Sequence, residues 1–288
     1  MELKSKLPDV GTTIFTIMSR LAAEHGAINL SQGFPDFDTD PALVMAVADA
    51  MAKGHNQYAP MPGLPELNAA IAEKLQRDYG WMPDPETEIT VTAGGTQALY
   101  SIIGAMIGPG DEVIVIEPSY DSYIPSIESY GGVARTVQLL PTHYQVDWDQ
   151  VESLINARTK LIMINTPHNP CGVVLQAEDL QRLQDIVTRH GIFLISDEVY
   201  EHIIFDGHQH QSVLKYPELY RRSFVVFSFG KSLHVTGWKS GYVIAPPALT
   251  TELRKIHQFN VFSVNRPVQT GVAYYMRHHA DFKALASF

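Results

Sequence analysis

The chain has 288 residues, 45% hydrophobic and 18% charged, which suits one large α/β domain or two ordinary ones with a sizeable core. A formal net charge of −10 argues against nucleic acid as a partner, because tracking phosphates needs clustered Lys and Arg. The single cysteine, Cys171, rules out an internal disulfide framework, and neither a signal-peptide core in Met1–Pro8 nor an apolar run near the roughly 20 residues of a membrane span is present, so a soluble, cytoplasmic protein is expected.

Residues 1–40 read as irregular. Pro41 to Lys53 is predicted as a helix, with Pro at its start, Leu43, Val44, Val47 and Met51 on one stripe, and Gly54 after its end. Pro65 to Tyr79 is a second, with Leu67, Ala70, Ile71, Lys74 and Leu75 at helical spacing. From there short apolar runs alternate with helical ones. Strands are expected over 88–92, 112–116, 134–139, 160–165, 193–196 and 224–229. Helices are expected over 96–107, 121–130, 151–155 and 177–190. That rhythm predicts an α/β fold: a mainly parallel mixed sheet sandwiched by helices, with ligands outside the carboxyl ends of the strands.

Those strand ends carry unusual residues. After 88–92 comes Ala93-Gly-Gly-Thr-Gln97, where Gly94 and Gly95 permit close backbone approach and a helix start offers free N–H groups. A plain strand-to-helix turn would use the same residues. After 112–116, Tyr120 is available to stack on a planar ring, or simply packs at an edge. After 160–165, the proline-bounded turn Thr166-Pro-His-Asn-Pro170 holds Asn169, a hydrogen-bond donor or only a turn residue. After 193–196 comes Asp197-Glu-Val-Tyr200. A carboxylate there needs a cationic partner, unless it serves as a helix cap. Finally Lys231 ends the apolar run Val225-Val-Phe-Ser-Phe-Gly, a costly place for charge. Desolvation makes such an amine nucleophilic toward aldehydes; a lysine that snorkels to water is the plain alternative. Lys239 is a possible second cation for a phosphate, or a solvated surface lysine. An amine, a carboxylate, a stacking ring, oxygen donors and a phosphate cradle together suit one ligand, pyridoxal 5′-phosphate (PLP).

The sequence resembles the class I/II, fold-type I, PLP-dependent aminotransferases. The motifs that carry the likeness are Asn29-Leu-Ser-Gln-Gly-Phe-Pro-Asp36, Tyr58-Ala-Pro-Met-Pro-Gly63, Ala93-Gly-Gly-Thr-Gln97, Asn165-Thr-Pro-His-Asn-Pro170, Ser196-Asp-Glu-Val-Tyr200 and Ser228-Phe-Gly-Lys231, in the family's order along essentially the whole chain. The first resembles the branch that contains kynurenine, glutamine and methionine aminotransferases. The likeness implies that Lys231 holds the cofactor aldehyde and moves the substrate Cα proton, and that Asp197 pairs with the ring nitrogen. It gives Asn169 and Tyr200 to the ring oxygen and Tyr120 to the ring face. It puts Gly94, Gly95, Thr96, Gln97, Ser228 and Lys239 around the phosphate, and Gly33 and Phe34 beside the substrate. Tyr58 would reach the phosphate of a neighbouring subunit, which implies a homodimer with shared sites.

The implied reaction moves the amino group of a neutral amino acid, methionine-like or aromatic, to a 2-oxo acid. A PLP-dependent C–S β-lyase would use the same cofactor residues. Residues 1–40 are expected as an N-terminal arm with a small-domain segment, and 41–288 as the PLP-binding large domain. Family members run longer, and no arginine here matches the one that clamps the substrate carboxylate. The chain is therefore expected to lack the C-terminal small-domain portion, which also allows a PLP-holding homologue with little activity. Arg266 stands where relatives carry a small residue. Gly207-His-Gln-His-Gln211 reads as a surface loop and no metal site is expected.

Overall fold

The computed structural model describes residues 4–33 and 37–282. In chain order the elements are α1 (Ile14–His25), α2 (Pro41–Ala52), α3 (Pro65–Tyr79), β1 (Ile89–Thr92), α4 (Gly95–Met106), β2 (Glu112–Glu117), α5 (Tyr123–Ser129), β3 (Val133–Gln138), α6 (Trp148–Ser153), β4 (Thr159–Asn165), α7 (Ala177–His190), β5 (Phe193–Asp197), α8 (Pro217–Tyr220), β6 (Ser223–Ser228), α9 (Phe229–Ser232), β7 (Gly241–Ile244), α10 (Pro247–Asn260) and α11 (Arg266–His278). Local chemistry sets many of the boundaries. The Asp40 carboxylate accepts from Ala42 N at 2.8 Å and Pro41 follows it at the start of α2. The Asp179 side chain reaches back to Gln176 N at 2.8 Å to open α7, and Gly191, at φ 67, closes it.

The strands form one seven-stranded sheet in the order β1-β7-β6-β5-β4-β2-β3. All pairs are parallel except those of β7, which runs antiparallel to both β1 and β6. Alternate residues of each strand face opposite ways. Ile162, Ile164, Leu194, Val225 and Phe227 join one apolar core with α3, α7 and α11. Leu161, Met163, Ile195, Phe224 and Val226 join another with α4, α5 and α10. Both faces are covered, so the central strands read as continuous apolar runs.

This topology decides where chemistry can gather. β2, β4, β5 and β6 are parallel and end at Glu117, Asn165, Asp197 and Ser228. Because β7 is antiparallel to both of its neighbours, β1 runs parallel to β6 and its end, Thr92, lies at the same edge. In register Thr92 pairs with Gly241 and Gly241 with Ser228, so Lys239 and Ser240, entering β7, arrive there too. Gly241 is required: a Cβ would stand 2.6 Å from Phe227 O and 3.2 Å from Gly94 Cα.

Some expectations change. Residues 1–40 are not irregular throughout, because α1 lies within them. Thr13 caps it, accepting from Thr16 N at 3.3 Å, and none of its residues is buried. The helix expected at 151–155 is α6, which starts three residues earlier behind the cap at Asp147. The strand expected over 224–229 is β6, which ends one residue sooner at Ser228, and Lys231 follows it in the one-turn α9. Gly207–Gln211 is not simply a surface loop: His210 is buried and its Nε2 lies 2.7 Å from Glu198 Oε2.

Candidate active site

A cavity of about 500 Å³ lies along the edge where these strands end. That is an ordinary size for a small-molecule site. Gly94, the residue before α4, has φ 83, and a Cβ on Gly95 would come to 3.0 Å from Val199 Cγ1. The first bond within α4 runs from Ala98 N to Gly94 O at 3.2 Å. The N–H groups of Gly95, Thr96 and Gln97 therefore have no intrahelical acceptor and form an anion-seeking end. Thr96, Ser228 and Lys239 stand beside it in the cavity wall. Lys239 is held at φ 51, a left-handed conformation uncommon for a non-glycine residue. Ser240 Oγ, buried in the same wall, has no hydrogen-bond partner among the described residues.

Asp197 lies deeper in the cavity. It is 4% exposed, and its carboxylate accepts from Tyr123 Oη at 2.6 Å and from Val199 N at 3.3 Å. Burial pushes it up to about 6 against those donors, with the nearby Glu198 charge adding to the rise and Lys231 opposing it. Tyr120 meets Tyr123 edge to face, ring centres 5.8 Å apart, and its hydroxyl is 3.3 Å from Thr96 Oγ1. Asn165 ties two strand ends together: its Nδ2 donates to Asp197 O at 2.9 Å and its Oδ1 accepts from Asn169 N at 2.6 Å. The Tyr200 hydroxyl is pushed up to about 12 by burial first and then by the Asp197 and Tyr120 charges, with Asn169 opposing the rise.

Lys231 projects between these two regions, its Nζ 5.3 Å from the centre of the Tyr200 ring. Burial lowers its affinity for a proton, Asp197 opposes that, and Lys239 adds to it. The arrangement thus offers a carboxylate lacking a full cationic partner, an anion-seeking end with a cation and an orphaned hydroxyl, and an amine poised between. These residues fit PLP, whose ring nitrogen, phosphate and aldehyde are the complementary groups.

Of the residues singled out in the sequence, Gly33, Gly94, Gly95, Thr96, Tyr120, Asn169, Asp197, Tyr200, Ser228, Lys231 and Lys239 line this one cavity. Gln97 does not present its side chain there. Its Oε1 accepts from Ala93 N at 2.9 Å and its Nε2 donates to Ser101 Oγ at 2.7 Å, leaving only its backbone at the helix start. Tyr58 is 78% exposed and outside the cavity, packed edge-on against Phe262. Phe34 lies outside the described residues. Sequence reasoning gave no role to Tyr123, Asn165 or Ser240, nor to Phe15, Ser31 and Gln32, which also form the wall. Tyr123 lies in the same turn as Tyr120, but nothing local shows that it reaches Asp197. Among the described residues lining the cavity there is no arginine.

Residues 25–284 match the family described as aminotransferase class I and II. The chain is 51% identical over 286 residues to the methionine aminotransferase of Escherichia coli (strain K12), covering 99% of this chain and 74% of that protein. It is 36% identical over 267 residues to kynurenine–oxoglutarate transaminase 1 of Homo sapiens, covering 88% and 63%. The solved structure of an Escherichia coli protein, reported with a methionine aminotransferase function, is similar with a TM-score of 0.96 and 49% identity over 100% of this chain and 75% of that one.

Proposed function

This chain belongs to the class I and II aminotransferase family, PLP-dependent enzymes of fold type I, and from that premise we propose that it transfers the amino group of methionine or an aromatic amino acid to a 2-oxo acid at the cavity described above. The observation that carries this reading is the amine of Lys231, standing in one cavity with Asp197 and the start of α4. Bound PLP supplies an aldehyde for that amine and an electron-withdrawing ring that accepts charge from the substrate Cα. The chain's own residues do the rest. Lys231, whose burial favours the neutral, nucleophilic form, holds the aldehyde carbon. The Lys231 amine would also be the group that takes the substrate Cα proton and gives it back. Asp197 keeps the ring nitrogen protonated; a cation there gives the carboxylate the partner that burial makes necessary. Asn169 and Tyr200 donate to the ring oxygen, and Tyr120 covers the ring face.

The N–H groups of Gly95, Thr96 and Gln97, with Ser228 and Lys239, bind the phosphate. Gly33, in the cavity wall, would border the substrate side chain. The exposed Tyr58 packs against another exposed ring, Phe262, at 48% exposure. Such a patch suits an interface, so a homodimer in which Tyr58 reaches the second copy's phosphate site belongs to the same reading. So does a cytoplasmic setting, supported by the single half-buried thiol of Cys171.

The test is to purify the PLP-loaded protein, determine its mass in solution, and supply methionine with a 2-oxo acid. Amino transfer by a dimeric particle is expected. Pyruvate released from cysteine conjugates without amino transfer would replace this reading with the lyase, and an active monomer would remove Tyr58 from the site.

A further inference from the structure

The turn after β5 has two faces. Asp197 and Tyr200, three residues apart, line the cavity. Glu198 and Glu201, also three apart, are buried on the other side, outside the cavity wall, 0% and 5% exposed. Buried carboxylates need partners, and both have them. Glu198 accepts from Ser196 Oγ at 2.8 Å and Val213 N at 3.0 Å, with His210 at 2.7 Å. Glu201 is gripped by α3: Lys74 Nζ donates to both of its oxygens at 2.9 Å, and the Tyr79 hydroxyl donates to one of them. Lys74 is 1% exposed, and the rings of Tyr79, Phe227 and Phe282 lie within 5.7 Å of its ammonium.

Among the described residues, the other groups facing this pair include Asp78, 3.1 Å from Lys74, His202, 3.5 Å from Glu201, and the buried Tyr242 hydroxyl, which has no hydrogen-bond partner there. Burial alone would raise Glu201, but Lys74, His202 and Tyr79 outweigh it and hold the carboxyl down at about 2. No α3 residue lines the cavity. Its link to the cavity runs through Glu201, whose neighbour Tyr200 is fixed by short turn bonds: Glu201 N to Glu198 O at 3.0 Å and Ile203 N to Tyr200 O at 2.8 Å.

We propose that Lys74 is a positioning residue for the reaction: by gripping Glu201 from α3 it aims the adjacent Tyr200 hydroxyl into the cavity. A buried ion pair is weak grounds for stability, because desolvation offsets the attraction and apolar replacement of the whole pair is often neutral. Its use here is orientation. The proposal rests on the reading that PLP fills the cavity with its ring oxygen at Tyr200.

The test compares the parent, a Lys74→Met/Asp78→Asn/Tyr79→Phe/Glu201→Leu variant that removes the ammonium together with both carboxylates and the hydroxyl that face it, Tyr200→Phe, and the combination. Two readouts are the pH midpoint of the bound cofactor's visible absorbance and amide exchange over residues 198–203 in the cofactor-free protein. Losing a donor to the ring oxygen makes the site hold its proton more tightly, so the midpoint should rise. The apolar variant should melt within a few degrees of the parent. Its midpoint should rise by about half a unit or more, in the direction of Tyr200→Phe, and the combination should shift no further than Tyr200→Phe alone. Exchange over 198–203 should quicken. An unchanged midpoint with unchanged exchange overturns the proposal, as does a shift that adds in full to that of Tyr200→Phe. If the apolar variant does not fold, Glu201→Gln, which keeps the shape and weakens the pair, is judged by the same outcomes. A parent that shows no cofactor absorbance removes the reading of the site, while the exchange measurement still judges the link between α3 and the turn.

Discussion

Asp197 is under opposing demands: the proposed role needs its charge, and its burial resists it. In the cofactor-free protein burial lifts the carboxyl to about 6, so the folded chain binds that proton more tightly than the unfolded chain does. For a raised carboxyl, stability is greatest when the group is protonated and falls as the pH climbs from the ordinary carboxylate range through about 6. The cost above that window is on the order of 3 kcal/mol. Asp197→Asn should therefore stabilise the cofactor-free protein against urea by up to about 3 kcal/mol at pH ~8 and by almost nothing at pH ~4, while weakening its hold on PLP. An equal effect at both pH values would contradict the assignment of the shift to burial. At this scale the sequence is readable where a residue type is costly in its local setting, as with Lys231 and Asp197. It is silent where the role is a reach across the fold. Tyr123 lies 74 positions from Asp197 and yet bonds it at 2.6 Å. The left-handed backbone of Lys239 leaves no local trace either.

Helices α3 and α7 were legible end to end because a start signal (Pro65 in α3, the Gln176–Asp179 capping box in α7), a glycine stop and apolar spacing agree there. Helices α10 and α11 carry comparable signals, Pro247 with Leu249 and Leu253, and Asn265 with Val268, Val272 and Met276, although sequence reading assigned neither. Helix α1 has a stripe at Ile14, Met18 and Leu21, but those residues remain 60%, 41% and 39% exposed, so its pattern is faint for a physical reason. What no local signal contains is which elements touch. Helix α11 crosses α2 at Gly271, where a Cβ would stand 2.4 Å from Val47 Cγ2 and 2.8 Å from Val47 Cα. Alanine there gains about 1 kcal/mol of helix propensity, but a clash against backbone costs about 1–3 kcal/mol. Gly271→Ala should lower the melting temperature; an unchanged or higher one would show that the crossing is looser than this geometry.

Across the whole molecule the alternation of strands and helices was enough to predict a covered, mainly parallel sheet with its chemistry at one edge. The antiparallel insertion of β7 between β1 and β6 was not, because strand order is a tertiary choice. That insertion matters: it sets the Gly94–Gly95 turn against Gly241 and brings Lys239 and Ser240 to the edge where β5 delivers Asp197. The cavity is thus assembled from segments between Phe15 and Ser240, and its walls depend on the sheet rather than on any one motif. The central claim is that Lys231 is the amine that holds PLP in this cavity. Borohydride reduction of the PLP-loaded protein followed by peptide mass analysis tests it most directly. The account predicts one stable cofactor adduct on Lys231, absent from Lys231→Ala; an adduct on Lys239 or another lysine, or none at all, would contradict it.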